Sequence, residues 1–369
     1  MPQKAQAGAS RRSGGQPASG GPGALWLRFK PLPHNQESTM MPKTYRAAAV
    51  IAGAALATAL SVLVVSPGRA EDYPARPVKI VVPFPAGGTA DVMPRIFADW
   101  LSRKLGQPFV VEDRAGAGGN IGAEVVAKSD PDGYTLLASP PPPLVINQNL
   151  YPHLSFDPTG FVPVAVMARV PNALVVNPDK VKANTVPEFI AYLKANDGKV
   201  TDATQGNGTT SQLTAAMFQM MAKAKLQNVP YRGSAPALND LVAGSVDCMF
   251  DNLGVSLQLV KAGKLKLIAV ASKKRMASLP DVPTIAETLP GFEAVAWYAF
   301  AAPAGTPGAI VDKINAGVNA ALRDPEIVKR LANLSAEPVG GSPHDDAEYF
   351  KEETARWKNV ITAAHVTLD

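Results

Sequence analysis

"VVPFPAGGTADVMPRI" (residues 81–96) begins as a buried strand and ends as an amphipathic helix. Between them lie Pro83, Phe84, Pro85, Ala86, Gly87, Gly88, Thr89 and Asp91, a permissive loop at the carboxyl end of a strand. Such a loop either turns the chain or holds an anion on the amides of the following helix. The same design recurs in "RAGAGGNIG" (114–122), "TQGNGTTS" (204–211) and "YRGSAPAL" (231–238). One loop of this kind is most simply a tight connection. Four in one chain argue for ligand-facing backbone: glycine admits close approach, Ser and Thr add hydroxyls, and a helix N-terminus carries about half a positive charge.

Outward from that stretch, short β-rich runs alternate with helical ones. "VKIVV" (78–82), "FVVED" (109–113), "YTLLAS" (134–139), "VPVAVMA" (162–168) and "ALVVN" (173–177) read as separate strands. "KVTDATQ", "NVPY", "VDCMFD", "LKLIAVAS" and "FEAVAWYAFAAP" (292–303) continue the series. "TVPEFIAYLKAN" (185–196) predicts a helix opened by a capping box from Thr185 to Glu188, with Pro187 tolerated in its first turn. "PPPP" (140–143) is excluded from a sheet interior. Three helical segments, starting near Pro307, Pro325 and His344, finish the chain. The rhythm predicts an α/β fold of mainly parallel sheets flanked by helices, and about 300 residues of it argue for two sheets.

The chain has 369 residues, 46% apolar and 18% charged, with a formal charge of +5. That sign comes from the first 70 residues, which hold eight Lys/Arg and one acid; the remainder is slightly acidic. Residues 42–70 place Lys43 and Arg46 before an uncharged run from Ala47 to Val65, then Gly68 and Ala70 at the −3 and −1 positions. This pattern predicts a signal peptide over 40–70, cleaved before Glu71, with translation starting at Met40 or Met41 and residues 1–39 an untranslated or disordered extension. The expected location is therefore periplasmic. Near-neutral charge in the mature part gives no argument for a nucleic-acid partner.

Several chemistries fail on the motifs. In "GAGGNIG" the third glycine position of a dinucleotide fingerprint falls on Ile121, and the chain has neither a P-loop nor a G-x-S-x-G elbow. His153, His344 and His365 lie outside the glycine-rich loops, so a Ser-His-Asp hydrolase lacks a base. One cysteine and scattered histidines offer no metal cluster. Cys248, in an apolar strand, reads as a buried inert thiol. Binding is thus expected over catalysis, with no cofactor. Asp91 reads as a cap on its helix beside Thr89, while Asp251 could equally close a helix start or face a cleft.

Four stretches also carry a resemblance. "YPARPVKIVVPFPAGGTADV", "VVEDRAGAGGNIGAEVVAKSDPDGYTLL", "NVPYRGSAPALNDLVAGSVDCMFD" and "LPDVPTIAETLPGFEAVAWYAFAAPAGTP" occur in the order and spacing of the Bug receptors. These are the periplasmic substrate-binding proteins of tripartite tricarboxylate transporters. The chain resembles them over essentially all of residues 71–366. The resemblance implies a two-lobed Venus flytrap, with lobe 1 over 71–172 and 293–369 and lobe 2 over 173–292. It implies a small organic acid held between the lobes and handed to transporter membrane subunits by a monomeric receptor. The implied ligand loop runs from Phe84 to Asp91, through Ala86, Gly87, Gly88 and Thr89. Ser139 borders it, with Asn207, Gly208, Thr209 and Thr210, then Tyr231, Gly233, Ser234 and Ala235, and Asp251 on the other lobe. Two departures stand out: Ser139 and four prolines replace a Gly-Thr-rich loop, and Gln212 replaces a histidine. With them, the usual short dicarboxylate is not assumed, and roles for Arg232 and Gln212 stay open.

Overall fold

A computed structural model describes Lys30 and residues 73–368. Apart from Lys30, the extension and signal peptide expected over 1–70 lie outside the described residues. The described residues form ten strands: β1 (Val78–Val82), β2 (Phe109–Asp113), β3 (Thr135–Ser139), β4 (Val162–Val176), β5 (Thr201–Thr204), β6 (Gln227–Pro230), β7 (Cys248–Asn252), β8 (Lys266–Val270), β9 (Val295–Ala302) and β10 (Glu337–Pro338). Nine α-helices accompany them among the described residues: α1 (Thr89–Leu105), α2 (Asn120–Ala127), α3 (Val186–Ala195), α4 (Thr210–Ala222), α5 (Ser234–Ala243), α6 (Leu253–Lys261), α7 (Gly308–Ala321), α8 (Pro325–Asn333) and α9 (Pro343–Ala363). None of the described helices is long and apolar enough to cross a membrane.

The strands make two sheets joined through β4. In the first, β2, β1 and β3 are parallel, and β9, β4 and β10 continue it antiparallel. In the second, β6, β5 and β7 are parallel, and β4 lies antiparallel between β7 and β8. Each sheet is therefore parallel only over three strands, with the chain crossings supplying antiparallel ones.

The two runs expected as separate strands, "VPVAVMA" and "ALVVN", are one strand of 15 residues. Pro171 lies between those two runs, and proline gives no N–H to a ladder. The strand survives because its partners change there: Pro171 pairs with Val295 of β9, and Asn172 with Asn252 of β7. The α3 capping box is also only half formed. Thr185 accepts from Glu188 N–H at 3.3 Å, while the Glu188 carboxylate takes Asn184 N–H at 2.8 Å instead.

Side-chain alternation divides the core by sheet face. Ile80 and Val82 of β1 pack with Phe97 and Leu101 of α1 and Ile314 and Val318 of α7; Val81, between them, packs on the opposite face with Val126 of α2 and Trp357 of α9. The second sheet buries Leu174, Phe250 and Ile268 against Phe189 and Phe218 of α3 and α4, and Val175 and Met249 against Leu238 and Leu241 of α5. Cys248 is buried in that sheet, and burial pushes its thiol well above the ordinary range.

Candidate functional site

Loops after parallel strands converge where the two sheets face each other, the position at which open α/β sheets receive ligands. A cavity of about 460 Å³ lies there. Phe84 follows β1, the 115–119 loop follows β2, and Ile121 and Tyr151 complete that side. Across from them stand Gln205, Gly206 and Asn207 after β5, and Pro230, Tyr231 and Arg232 at the end of β6. No acidic side chain is among the lining residues. Arg232 is exposed at this site and has no ion pair among the described residues. Tyr231 presents its ring while its hydroxyl donates to Asp240 Oδ2 at 2.7 Å; burial and that bond push its pKa up to about 12.

Beside the cavity the two sides meet along a seam of small residues. A Cβ on Gly233 would stand 2.7 Å from Cδ and Cγ of Pro85, and one on Gly118 would stand 2.7 Å from the Asn207 carbonyl oxygen. Neither position has room for a side chain. The approach is looser at Gly88, where a Cβ would stand 3.2 Å from Ser234 Cβ, and ordinary at Gly87, where it would stand 3.6 Å from Ala235 Cβ. Thr89 also bridges the sides: it accepts from Val255 N–H at 3.3 Å and lies 3.5 Å from the Asn252 carbonyl oxygen.

Of the residues expected from sequence, Phe84, Asn207 and Tyr231 line the cavity. Gly87, Gly88, Thr89, Gly233, Ser234 and Ala235 form the seam, and Ala86 is exposed beside it. Others hold the loops. Asp91 accepts Gly87 N–H at 2.8 Å and Arg95 Nε at 2.5 Å, so it fixes the first loop from within. Gln212 Oε1 accepts Gly208 N–H at 2.7 Å, and Thr209 Oγ1 donates to the Gly206 carbonyl at 2.7 Å. Ser139 is buried and donates to its neighbour's carbonyl at Pro140. Thr210 gives its carbonyl to Asn172 Nδ2 at 3.0 Å.

Asp251 lies behind the cavity wall, fully buried. Its Oδ1 accepts from Ser234 Oγ and from Gln205 Nε2, and its Oδ2 has no partner among the described residues. Burial raises its pKa against the opposing effect of those hydrogen bonds. The Tyr298 hydroxyl, also buried, is raised well above its range by burial and then by the charge of Asp251. Sequence reasoning missed Gln205 and Tyr151 in the cavity lining. It noticed the 115–119 loop but did not assign it to the site. Gln205 stands immediately before the "GNG" turn, which was the available signal.

The family profile described as tripartite tricarboxylate transporter family receptor matches residues 93–366. The chain belongs to this receptor family. A structure of Rpa4515 from R. palustris with adipate is 39% identical, with a TM-score of 0.78, covering 80% of this chain and 99% of that one. The periplasmic binding protein BugD is 36% identical, with a TM-score of 0.76, over 80% and 99%. MatC from Rhodopseudomonas palustris with bound malate is 34% identical, with a TM-score of 0.75, over 78% and 100%. The receptor thus has the two-lobed fold of Bug-type solute-binding proteins. Among its described residues no group of three His, Cys, Asp or Glu is placed to hold a metal.

Proposed function

We propose that this receptor binds a small organic acid between its lobes in the periplasm and delivers it to the membrane subunits of a tripartite transporter. The observation that carries the reading is the cavity itself. It sits at the carboxyl ends of strands from both sheets, and among the described residues Arg232 has no ion pair and no acidic side chain lines the cavity. An anion entering it meets the Arg232 guanidinium and no carboxylate in the lining. The adipate and malate held by two relatives support the same class of ligand.

The lobes we assign are 71–172 with 293–369, and 173–292. The partner exchange in β4 supports this division, as does a knot of crossings beside it. Asn172 N–H donates to the Ala294 carbonyl at 3.0 Å, Ala271 N–H to Asn172 at 2.7 Å, and Ala294 N–H to Ala271 at 2.8 Å. Export through a cleaved signal peptide and action as a monomer complete the reading.

Mass spectrometry of small molecules released from the purified mature protein tests it, backed by thermal shifts with organic acids. A bound acid should raise the melting temperature, the gain being about 2.7 kcal/mol at a hundredfold excess over Kd. Failure of every organic acid to bind, or its conversion to product followed by NMR, would overturn the proposal.

A further inference from the structure

Gln205 is the side chain that links the cavity to the buried network behind it. Its Nε2 donates to Asp251 Oδ1 at 2.8 Å, Asn252 Oδ1 at 2.9 Å and Ser234 Oγ at 3.2 Å. Those oxygens are fixed in turn. Asn252 gives its Nδ2 to Asn172 Oδ1 at 2.5 Å and Thr210 Oγ1 at 3.3 Å, so its oxygen must face Gln205. Ser234 donates its own proton to Asp251. A reversed Gln205 amide would set Oε1 against three oxygens, so the network leaves one orientation. What remains for the cavity is Oε1, an acceptor with no partner among the described residues, on a residue that lines the wall.

The rest of the polar lining has the opposite character. Arg232 can only donate, the Tyr151 hydroxyl has its donor to offer, and Asn207 offers its Nδ2 while its Oδ1 accepts from Gln212 Nε2 at 3.4 Å. A ligand made only of carboxylate and hydrocarbon satisfies these donors but leaves Gln205 Oε1 bare or facing a negative oxygen. We infer that Gln205 selects, within the organic-acid reading on which this inference rests, for hydroxy acids: the ligand's hydroxyl donates to Oε1 while its carboxylate meets Arg232. An amino acid also has a donor there. Its ammonium, however, would enter a cavity with no acidic side chain in the lining, since Asp251 lies buried behind Gln205. A neutral hydroxyl is the donor that fits.

The test is calorimetric titration of the mature protein with matched acids: succinate, malate, methoxysuccinate and aspartate, then adipate and hydroxyadipate, then benzoate and hydroxybenzoate. Within the length that binds, the hydroxy acid should bind about ten- to hundredfold tighter than its unsubstituted, methoxy or amino counterpart. Binding of the hydroxy and unsubstituted acids within about threefold of each other would overturn the inference and leave the receptor reading intact. Equal binding of malate and methoxysuccinate would overturn it too, because the methoxy group keeps the oxygen and loses the donor. Gln205→Met should bring the pairs together, and a preference that survives it means another group reads the hydroxyl. Circular dichroism checks that variant; if it does not fold, the methoxy comparison on the unaltered protein decides alone. If no acid in the series binds, the organic-acid reading itself falls and takes this inference with it.

Discussion

Gly233 shows at single-residue scale how the seam constrains the sequence. Its φ of 164° is extended backbone that alanine adopts without strain, yet an added Cβ would stand 2.7 Å from the Pro85 ring across the seam. Gly233→Ala should therefore fold normally and fail to close. Overpacking of this kind costs about 1–3 kcal/mol, so affinity for a bound organic acid should fall about ten- to hundredfold. Calorimetry reads the loss, and small-angle scattering should find the ligand-saturated variant more extended than the unaltered protein; unchanged affinity would show that the seam opens freely. Gly208 is a poorer probe. At φ +78° and with a Cβ 2.8 Å from Asn147 Oδ1, any substitution there mixes strain with its chemistry. At this scale the sequence singled out loops that the fold places around the cavity and seam, but not which groups in them are already used. Glycine spacing announces exposed backbone. Only the fold shows that Asp91 and Gln212 take the amides of Gly87 and Gly208.

At the scale of elements, α9 is tied to both sheet and pH. A reciprocal capping box between Ser342 and Asp345 opens it, and Asp346 in its first turn accepts Val166 N–H of β4 at 3.0 Å. Burial raises the Asp346 pKa to about 6. Because the folded pKa exceeds the unfolded one, the folded protein binds the extra proton. The resulting stability is present below the ordinary carboxylate range and lost as pH rises through about 6. A shift of that size is worth about 3 kcal/mol at most. Asp346→Asn keeps an acceptor for Val166 and removes the titration. Its melting temperature should accordingly lose less than that of the unaltered protein between pH 4.5 and 7. Parallel curves for the two would refute the assignment.

Most elements were legible from hydrophobic alternation and turn residues. β4 was not, because Pro171 reads locally as a break while the exchange of partners that tolerates it is a tertiary fact. The wide turn at Pro142–Ile146, fully buried, follows from the proline run only in outline.

Across the whole molecule, the two sheets are joined where the chain crosses, and Asn172 is the residue on which the crossings close. It is fully buried, and its side chain serves both sides of the network. Nδ2 donates to the Thr210 carbonyl at 3.0 Å and to Thr214 Oγ1 at 2.5 Å, and Oδ1 accepts from Asn252 Nδ2. Through Asn252 it orients the Gln205 amide at the cavity. Asn172→Ala removes these partners and leaves buried groups unmatched, which should cost about 2–4 kcal/mol in urea denaturation. Asn172→Asp keeps the shape but replaces the donor with an acceptor facing the Thr210 carbonyl, in a place where a charge has no counter-ion. It should be the more damaging of the two, although it is the smaller change in volume. Both variants should also weaken acid binding beyond their effect on folding, because each releases Asn252 and with it the fixed Gln205 amide. If aspartate at 172 proves better tolerated than alanine, the crossing is hydrated in solution, and the lobes there are looser than this network implies.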